Sequence, residues 1–358
     1  MSTTEQGYEL ARRARAKLPP GLTPWPLLGN LPSLIGTEPH LFITKVGNQF
    51  GGISTFFKGT SPVVVFNRLD QAVEAYVKQN IVFSDRSIPP LWERSFTSKG
   101  SVLWENGPMW RFHRRNIHSG IRHIESSNEN LSSKGSSKTE IEEKDIWNTF
   151  FDLLGAGSDT SANTLLWGVM YMCGHPEYQE RIVEELANVC PASEIVTADM
   201  KARAPLTYAA ILEVMRCATI VPLGVPRVTA RDTRICGYDL PKGTEVWLNE
   251  YAIHNDVNLW EEPNLFRPER FLNASRDSIL TEKRNQLVAF GLGRRICVGK
   301  KLAEVELFIV FSNLFKRYRV RFAEPNQKID KVGIFGLTYF PKPFKVILEK
   351  RTDSKLLT

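Results

Sequence analysis

The sequence has few cysteines and no long apolar run. Five of its 358 residues are cysteine, and they are scattered with no Cys-x-x-Cys pair. This pattern argues against a disulfide framework and a zinc site, and it favours a reducing compartment. No window holds the roughly 18 consecutive apolar residues that a membrane span needs, and residues 1–10 are too polar for a signal peptide. Taken alone, the sequence predicts a soluble or peripheral protein.

A strong excess of one charge sign is also lacking. The net charge is +7 at pH 7 without any long basic block, so no nucleic-acid partner is expected. An anionic membrane surface or an acidic protein partner fits this modest excess better. A basic segment, residues 1–17, precedes the proline-rich run "LPPGLTPWP". The composition, 42% apolar and 24% charged, is that of a globular protein with a sizeable core.

The apolar pattern predicts a mainly α-helical chain with small β-sheets. The segments "GGISTFF" and "SPVVVF" predict a hairpin, and "RICGYDL" and "EVWLNEY" predict short strands. Helices are expected over residues 69–80, 107–118, 146–172, 177–186, 206–218 and 300–318. The polar, Ser-rich segment near 124–140 has no apolar period and is interpreted as a linker.

The segment "FGLGRRICVG", residues 290–299, concentrates glycine and arginine around one cysteine. Cys297 precedes a predicted helix, so backbone N–H groups and the helix dipole are expected to favour its thiolate, which is the metal-binding form. Gly293 and Gly299 permit turns and close approach, and Arg295 offers a fork for a carboxylate. The alternative is a buried free cysteine at a loop–helix junction.

A second segment, residues 151–167, combines glycines with polar side chains on one predicted helix. Gly155 and Gly157 weaken a helix, and the Thr160 hydroxyl can donate to the Ala156 carbonyl. These features predict a local opening of the helix that could admit a small molecule such as dioxygen. The alternative is a glycine-containing core helix with a polar stripe.

A third segment carries an acid and a base on one helix face. Glu213 and Arg216 are three residues apart, so their side chains can pair. Such a pair is commonly a solvated surface bridge that contributes little to stability. A buried role requires further partners.

In their order along the chain these segments resemble the cytochromes P450, the haem-thiolate monooxygenases, and in style the microsomal family. Five residues form the pattern of the family's haem-binding loop, Phe-x-x-Gly-x-Arg-x-Cys-x-Gly: Phe290, Gly293, Arg295, Cys297 and Gly299. "WRFHR" resembles the haem-propionate helix and "AGSDTS" the oxygen-activating helix. "EVMR" and "FRPERF" resemble the Glu-x-x-Arg and Pro-Glu-Arg-Phe motifs. The resemblance implies the P450 fold, mainly α with small β-sheets.

The resemblance also implies a cofactor and roles for individual residues. Haem b would be bound with Cys297 as its axial thiolate ligand. Four side chains would donate to the two haem propionates: Trp110, Arg114, Arg227 and Arg295. Many relatives have histidine at the position of Arg227. Asp159 and Thr160 would supply protons during oxygen activation, and a buried network would hold the fold around the haem loop: Glu213, Arg216 and Arg270.

By the same resemblance, the reaction is R–H + O2 + two electrons + two protons to R–OH + water. The electrons would come from NADPH through NADPH-cytochrome P450 reductase, which would dock near Arg294, Lys300 and Lys301. The substrate would be small and lipophilic, and four segments would line its pocket: Ile88–Phe96, Leu153–Leu154, Ile220–Gly224 and Gly333–Leu337. The expected location is the cytosolic face of the endoplasmic reticulum membrane.

The chain departs from the family between Trp110 and Thr160, where the family carries several helices that roof the pocket. Here the interval is mostly the Ser-rich linker, and we expect the chain to lack the family's N-terminal membrane anchor too. We therefore expect a basic segment, 1–17, and one internally truncated P450-like domain, 18–358. Besides an active monooxygenase, two alternatives remain: a truncated, inactive relative that binds haem weakly or not at all, and a haem-thiolate isomerase or peroxygenase. The last would predict loss of the Asp159–Thr160 pair, which is present.

Overall fold

The structure is a computed structural model that describes residues 18–87, 101–125, 143–336 and 338–352. Several sequence-based expectations fall outside these residues: the basic segment 1–17, the pocket segment Ile88–Phe96 and residues 126–140 of the Ser-rich linker.

Helices dominate the described residues. Proline occupies the first turn of three of them, where its fixed φ suits a helix start and its missing N–H costs no bond. The α-helices are α1 (Pro39–Gln49), α2 (Leu69–Val73), α3 (Gly107–Glu125), α4 (Glu143–Gly174), α5 (Pro176–Val189), α6 (Pro205–Ala218), α7 (Glu250–His254), α8 (Thr281–Gln286) and α9 (Lys300–Arg317).

The strands are short and form small sheets. They are β1 (Ile53–Lys58), β2 (Ser61–Phe66), β3 (Arg227–Val228), β4 (Thr233–Ile235), β5 (Tyr238–Leu240), β6 (Glu245–Leu248), β7 (Tyr318–Phe322), β8 (Gly333–Phe335), β9 (Tyr339–Pro341) and β10 (Val346–Lys350). The four-stranded sheet has the order β1-β2-β6-β3, in which β2 and β6 are parallel. The other pairs are β7 with β10, β4 with β5, and β8 with β9.

The helical core forms where α4, α5, α6 and α9 meet. Trp167, Met170 and Tyr171 of α4 are almost completely buried, and they share one apolar cluster with α6 and with Phe308 and Phe315 of α9. Burying such large side chains stabilises a fold by about 1.5–3 kcal/mol each. The core therefore fixes the C-terminal half of α4 against α9, the helix that follows Cys297.

The predicted hairpin and helices are present, with two corrections. The segment "EVWLNEY" is a strand only to Leu248, because the Asn249 side chain accepts a hydrogen bond from the Ala252 N–H and starts α7. The α-helix predicted over 69–80 is α only to Val73 and continues as a π-helical turn, Glu74–Lys78. Within the described residues, no helix is long and apolar enough to cross a membrane.

Two buried histidines predict an acid-sensitive fold. Burial lowers the pKa of His40 to about 4, and burial together with the Arg216 charge lowers the pKa of His254 to about 3. The unfolded chain binds protons at these histidines below about pH 6.5, whereas the folded chain does not. Stability is therefore complete above that pH and is lost as the pH falls.

Urea unfolding at a series of pH values measures this dependence. Between pH 6.5 and pH 5 we expect the free energy of unfolding to fall with a slope approaching about 2.7 kcal/mol per pH unit, the value for two protons. A double variant, His40→Gln with His254→Gln, should show a clearly flatter profile. Equal slopes for the two proteins would contradict the assignment.

Candidate functional site

The cysteine loop runs from Val288 to Gly299 and leads directly into α9. The Cys297 N–H donates to the Phe290 carbonyl at 2.9 Å, which closes the loop on itself. The Arg114 guanidinium, on α3, donates to the Ile296 carbonyl. The Cys297 side chain is exposed to solvent, so its sulfur is open to a ligand.

The expected preference of Cys297 for the thiolate is wrong for the protein alone. Protein surrounding the accessible sulfur raises the pKa of the Cys297 thiol, because desolvation penalises the charged form. The Gly299 N–H and the charges of Arg114 and Lys300 act in the opposite direction but do not outweigh this desolvation. A bound metal ion reverses this balance, because a coordinating thiol is deprotonated outright.

Gly293 lets the cysteine loop pack against the π-helical turn. Its φ is +66°, and a Cβ there would lie 1.7 Å from the Tyr76 carbonyl oxygen. Gly291 has a similar φ of +72°, but its Cβ would meet nothing closer than 3.9 Å. Comparing alanine substitutions at Gly291 and Gly293 therefore distinguishes the cost of backbone strain, which both share, from the cost of a steric clash, which only Gly293 has.

We expect Gly293→Ala to destabilise the protein more than Gly291→Ala does. Both substitutions carry a left-handed strain of about 1–2 kcal/mol, and only the first forces the loop away from Tyr76. The difference in free energy of unfolding, measured in urea, should exceed about 2 kcal/mol. Equal effects would show that the loop does not pack on the turn.

Four arginines converge beside the loop, and three of them are almost completely buried: Arg86, Arg227 and Arg295 at 4–7% exposure, with Arg114 partly buried. Their described hydrogen-bond acceptors are mainly backbone carbonyls. Arg227 donates to Leu292 O at 2.7 Å, and Arg295 donates to Ser84 O at 2.7 Å. Arg227 therefore does not face water.

No carboxylate of the described residues forms an ion pair with these four guanidinium groups. Burial, together with repulsion between the arginines, lowers the pKa of Arg295 to about 9 and that of Arg227 to about 10. Asp85 near Arg295 and Glu250 near Arg227 act in the opposite direction but do not cancel these shifts. The pKa of Arg86 falls for the same two reasons. Buried charges of one sign are costly unless an opposite charge joins them, so the cluster calls for an anionic partner.

Trp110 supplies an unused donor to the same cluster. Its side chain is 4% exposed and packs under the Arg295 guanidinium, 4.0 Å from the ring centroid. Among the described residues, neither the indole Nε1–H nor the Arg86 Nε–H finds a hydrogen-bond acceptor. Buried polar groups are nearly always paired. Two orphaned donors and a surplus of positive charge beside Cys297 therefore fit a ligand with carboxylates.

Sequence reasoning placed Trp110, Arg114, Arg227 and Arg295 in this cluster, and the structure brings all four together. It missed Arg86, which follows the 3-10 turn Val82–Ser84 and donates to the Val225 and Pro226 carbonyls. Arg86 matches no motif. Its immediate neighbours, Ser84, Asp85 and Ser87, are polar, so the sequence gives no signal that Arg86 is buried.

The Thr160 hydroxyl donates to the Ala156 carbonyl at 2.6 Å, as predicted. The expected opening of the helix is wrong, because α4 continues through these residues without interruption. A second threonine, Thr338, was missed: Asn163 donates to its oxygen at 2.8 Å, and its own hydroxyl donates to the Asp159 carboxylate. These two hydrogen bonds orient the carboxylate of Asp159, the residue that precedes Thr160.

The Glu213 network is buried rather than solvated. Glu213 and Arg216 are both 0% exposed and form two hydrogen bonds of 2.8 Å. Arg270 donates to the same carboxylate at 3.0 Å, as does the backbone N–H of Arg267 at 2.9 Å. The three predicted residues therefore meet in one place.

The N-terminal half of α4 exposes a large apolar surface. Six of its side chains are 38–60% exposed: Ile146, Trp147, Phe150, Phe151, Leu153 and Leu154. Contiguous apolar surface of this kind is uncommon on a soluble monomer. Leu153 and Leu154, expected to line a pocket, lie on this exposed surface.

A family model for cytochrome P450 matches residues 19–134 and 122–348, which is most of the chain. The chain belongs to the cytochrome P450 family. Cytochrome P450 2U1 of Homo sapiens is 27% identical over 503 aligned positions, which cover 96% of this chain and 92% of that protein. Cytochrome P450 2D15 of the dog is 32% identical, over 74% of this chain and 53% of that protein.

A solved zebrafish cytochrome P450, described with abiraterone, matches with a TM-score of 0.78. The match covers 88% of this chain at 23% identity and supports the shared fold, which is mainly α with small β-sheets. Members of the P450 family are haem monooxygenases, so haem is the cofactor that membership implies. The exposed Cys297 sulfur, the orphaned Trp110 donor and the unneutralised arginines fit that group.

Proposed function

We propose that this P450 is a monooxygenase that binds haem b through Cys297 and inserts one oxygen atom of O2 into a small lipophilic substrate. The observation that supports this most strongly is the arginine cluster beside the cysteine loop. Haem brings two propionates, and carboxylates are the groups that guanidinium forks bind best. Bound haem with a thiolate ligand supplies the oxygen-activating redox chemistry.

Two groups of residues would then have different roles in binding haem. Trp110, Arg86, Arg114, Arg227 and Arg295 would hold the propionates. Phe290, Gly293 and Gly299 would shape the loop around Cys297.

The α4 pair would handle protons. Asp159, oriented by Thr338, would take a proton from solvent, since its side chain is exposed. Thr160 would pass the proton to the oxygen side through its hydroxyl. The Ala156 carbonyl occupies that hydroxyl in the described structure, so delivery requires a rotation of the side chain.

Electrons would come from NADPH through NADPH-cytochrome P450 reductase. Arg294, Lys300 and Lys301 stand around the end of the cysteine loop and could meet its acidic surface. By analogy with microsomal P450s, we place the protein at the cytosolic face of the endoplasmic reticulum membrane.

We also infer that residues 18–358 form one domain in which the Ser-rich linker near 124–140 stands where relatives carry a helical block. The human alignment has 503 positions, whereas 96% of 358 residues is about 344, which leaves about 159 positions without a counterpart here. The family model matches the chain in two separate segments, which overlap at residues 122–134. Both findings support an internal gap at the linker.

The exposed apolar surface of α4 supports a second candidate, a truncated relative that binds haem weakly and does not turn over. Relatives with the additional block have more chain available to cover this helix. A missing cover would leave the substrate side open to water, which weakens the electrostatic control of a reaction.

Turnover with NADPH and reductase distinguishes the two candidates. We would incubate the chain with a steroid, a medium-chain fatty acid and an aryl ether, and measure product, hydrogen peroxide and NADPH consumed. We expect product from the wild type. For Thr160→Ala we expect the rate of product formation to fall by about tenfold to hundredfold, while more of the NADPH consumed ends as hydrogen peroxide. Thr160→Ser retains the hydroxyl and should retain activity. NADPH consumption without product in wild type would favour the inactive relative.

A further inference from the structure

One buried histidine links the Glu213 network to the cysteine loop. His254 ends α7 and is 0% exposed, yet it belongs to none of the motifs above. Its Nε2 lies 3.0 Å from the backbone N of Val288, where the cysteine loop begins. Its Nδ1 lies 2.9 Å from the Thr219 hydroxyl oxygen, just after α6.

The neighbours determine which ring nitrogen carries the proton. The Thr219 hydroxyl donates its only hydrogen to the Arg216 carbonyl at 2.7 Å, so its oxygen must accept from Nδ1–H. The Val288 N–H can only donate, so Nε2 must accept. The two contacts require the same neutral tautomer, and both ring nitrogens are used.

Each end of this link is anchored. On the network side, Arg216 Nη1 donates to the His254 carbonyl at 2.8 Å, while Arg216 itself binds Glu213. On the loop side, the Val288 carbonyl accepts from Gly291 N–H at 2.7 Å. Val288 is 1% exposed, so water cannot replace His254 as the hydrogen-bond acceptor of its N–H.

We propose that His254 is a positioning residue that holds the cysteine loop in register with the Glu213–Arg216–Arg270 network. The imidazole fixes the first residue of the loop, and the loop's internal bonds carry that constraint to Cys297. This role rests on the proposed function, because the loop matters to catalysis only if Cys297 binds haem. His254 touches neither substrate nor haem in this scheme.

Glutamine and asparagine form a matched pair of variants. The glutamine side chain is long enough to place an oxygen near the position of Nε2, so His254→Gln can still accept from the Val288 N–H. Asparagine reaches only to the position of Nδ1, so His254→Asn can still donate to Thr219 but abandons Val288. Both are neutral and polar, and they differ by one methylene group.

Two measurements on the full chain test the link. The first is hydrogen exchange at the Val288 amide, which needs no haem. The second is the rate at which the reduced carbon-monoxide complex loses its red-shifted, thiolate-type Soret band on warming. We expect His254→Asn to exchange at least about tenfold faster than wild type and to lose the band correspondingly faster. His254→Gln should remain within about threefold of wild type.

The outcomes separate this inference from the proposed function. Equal behaviour of the asparagine variant and wild type would overturn the positioning role, as would equal impairment or failure to fold in both variants. Folding of the glutamine variant alone would support the role. Absence of a thiolate band in wild type would overturn the proposed function, while the exchange comparison would still decide whether His254 holds the loop.

Discussion

Glu213→Gln is expected to lower the free energy of unfolding by about 3–5 kcal/mol, the usual cost of breaking a buried ion pair from one side. The carboxylate accepts from Arg216 and Arg270, and all three side chains are nearly inaccessible to water. Glutamine keeps the volume but removes the negative charge. Two buried guanidinium groups would then face each other without compensation.

Urea unfolding of the full chain measures this effect. A loss of this size is a large part of the 5–15 kcal/mol that stabilises a typical domain, so the variant should be largely unfolded at moderate urea concentrations. Glu261→Gln is the matched control, because its 77% exposed carboxylate pairs with Arg267 at the surface. The control should change stability by less than about 1 kcal/mol. A similar small effect for Glu213→Gln would contradict the buried-network account.

Haem is expected to bind this chain at least about a hundredfold more tightly than its dimethyl ester. The ester has the same ring and iron, but its propionates carry no charge. The difference reports on the arginine cluster, whose guanidinium groups lack an ion-paired carboxylate among the described residues. Each charge-assisted hydrogen bond contributes about 1.5–3 kcal/mol, and two propionates double that gain.

Titration of the full chain with each compound, followed by the Soret band, gives the two dissociation constants. Arg295→Gln should reduce the ratio between the dissociation constants of the ester and of haem, because it removes one of the buried positive charges. Arg68→Gln is a control at an exposed arginine that pairs with Asp70 outside the cluster. Equal affinities for haem and the ester would show that the cluster does not bind propionates.

The sequence was most informative where function depends on residues close together in the chain. The cysteine motif, residues 290–299, and the Glu213–Arg216 pair span ten and four residues. Spacing singled out the motif, whereas the buried role of the pair was expected only from the resemblance to the cytochromes P450. The periodic helices α4, α6 and α9 were also predicted from spacing; their ends differed, and α4 lacks the internal opening that was expected. The Thr160 hydrogen bond is likewise local, spanning one helical turn.

What sequence reasoning missed depends on contacts between distant segments. Arg86 meets Val225 and Pro226 from 139 and 140 positions away. Thr338 reaches Asp159 across 179 positions, and His254 reaches Val288 across 34. Only the folded chain shows these partners, because none of them follows a helical or strand period.

The error about Cys297 has an electrostatic cause. The sequence indicated only contributions that favour the thiolate, namely the backbone N–H groups and the dipole at the start of the following helix. The opposing contribution is desolvation, which depends on how much protein surrounds the sulfur. In the folded chain that contribution is larger, so the pKa of the thiol rises rather than falls.

The most direct test of the account is the reduced carbon-monoxide difference spectrum of the full chain reconstituted with haem. We expect a strongly red-shifted Soret band, the signature of a thiolate ligand, and its complete loss in Cys297→Ala. Cys236→Ala, which removes an exposed thiol outside the loop, should leave the band in place. A band typical of histidine- or thiol-ligated haem, or no bound haem, would contradict the claim that Cys297 is the axial ligand.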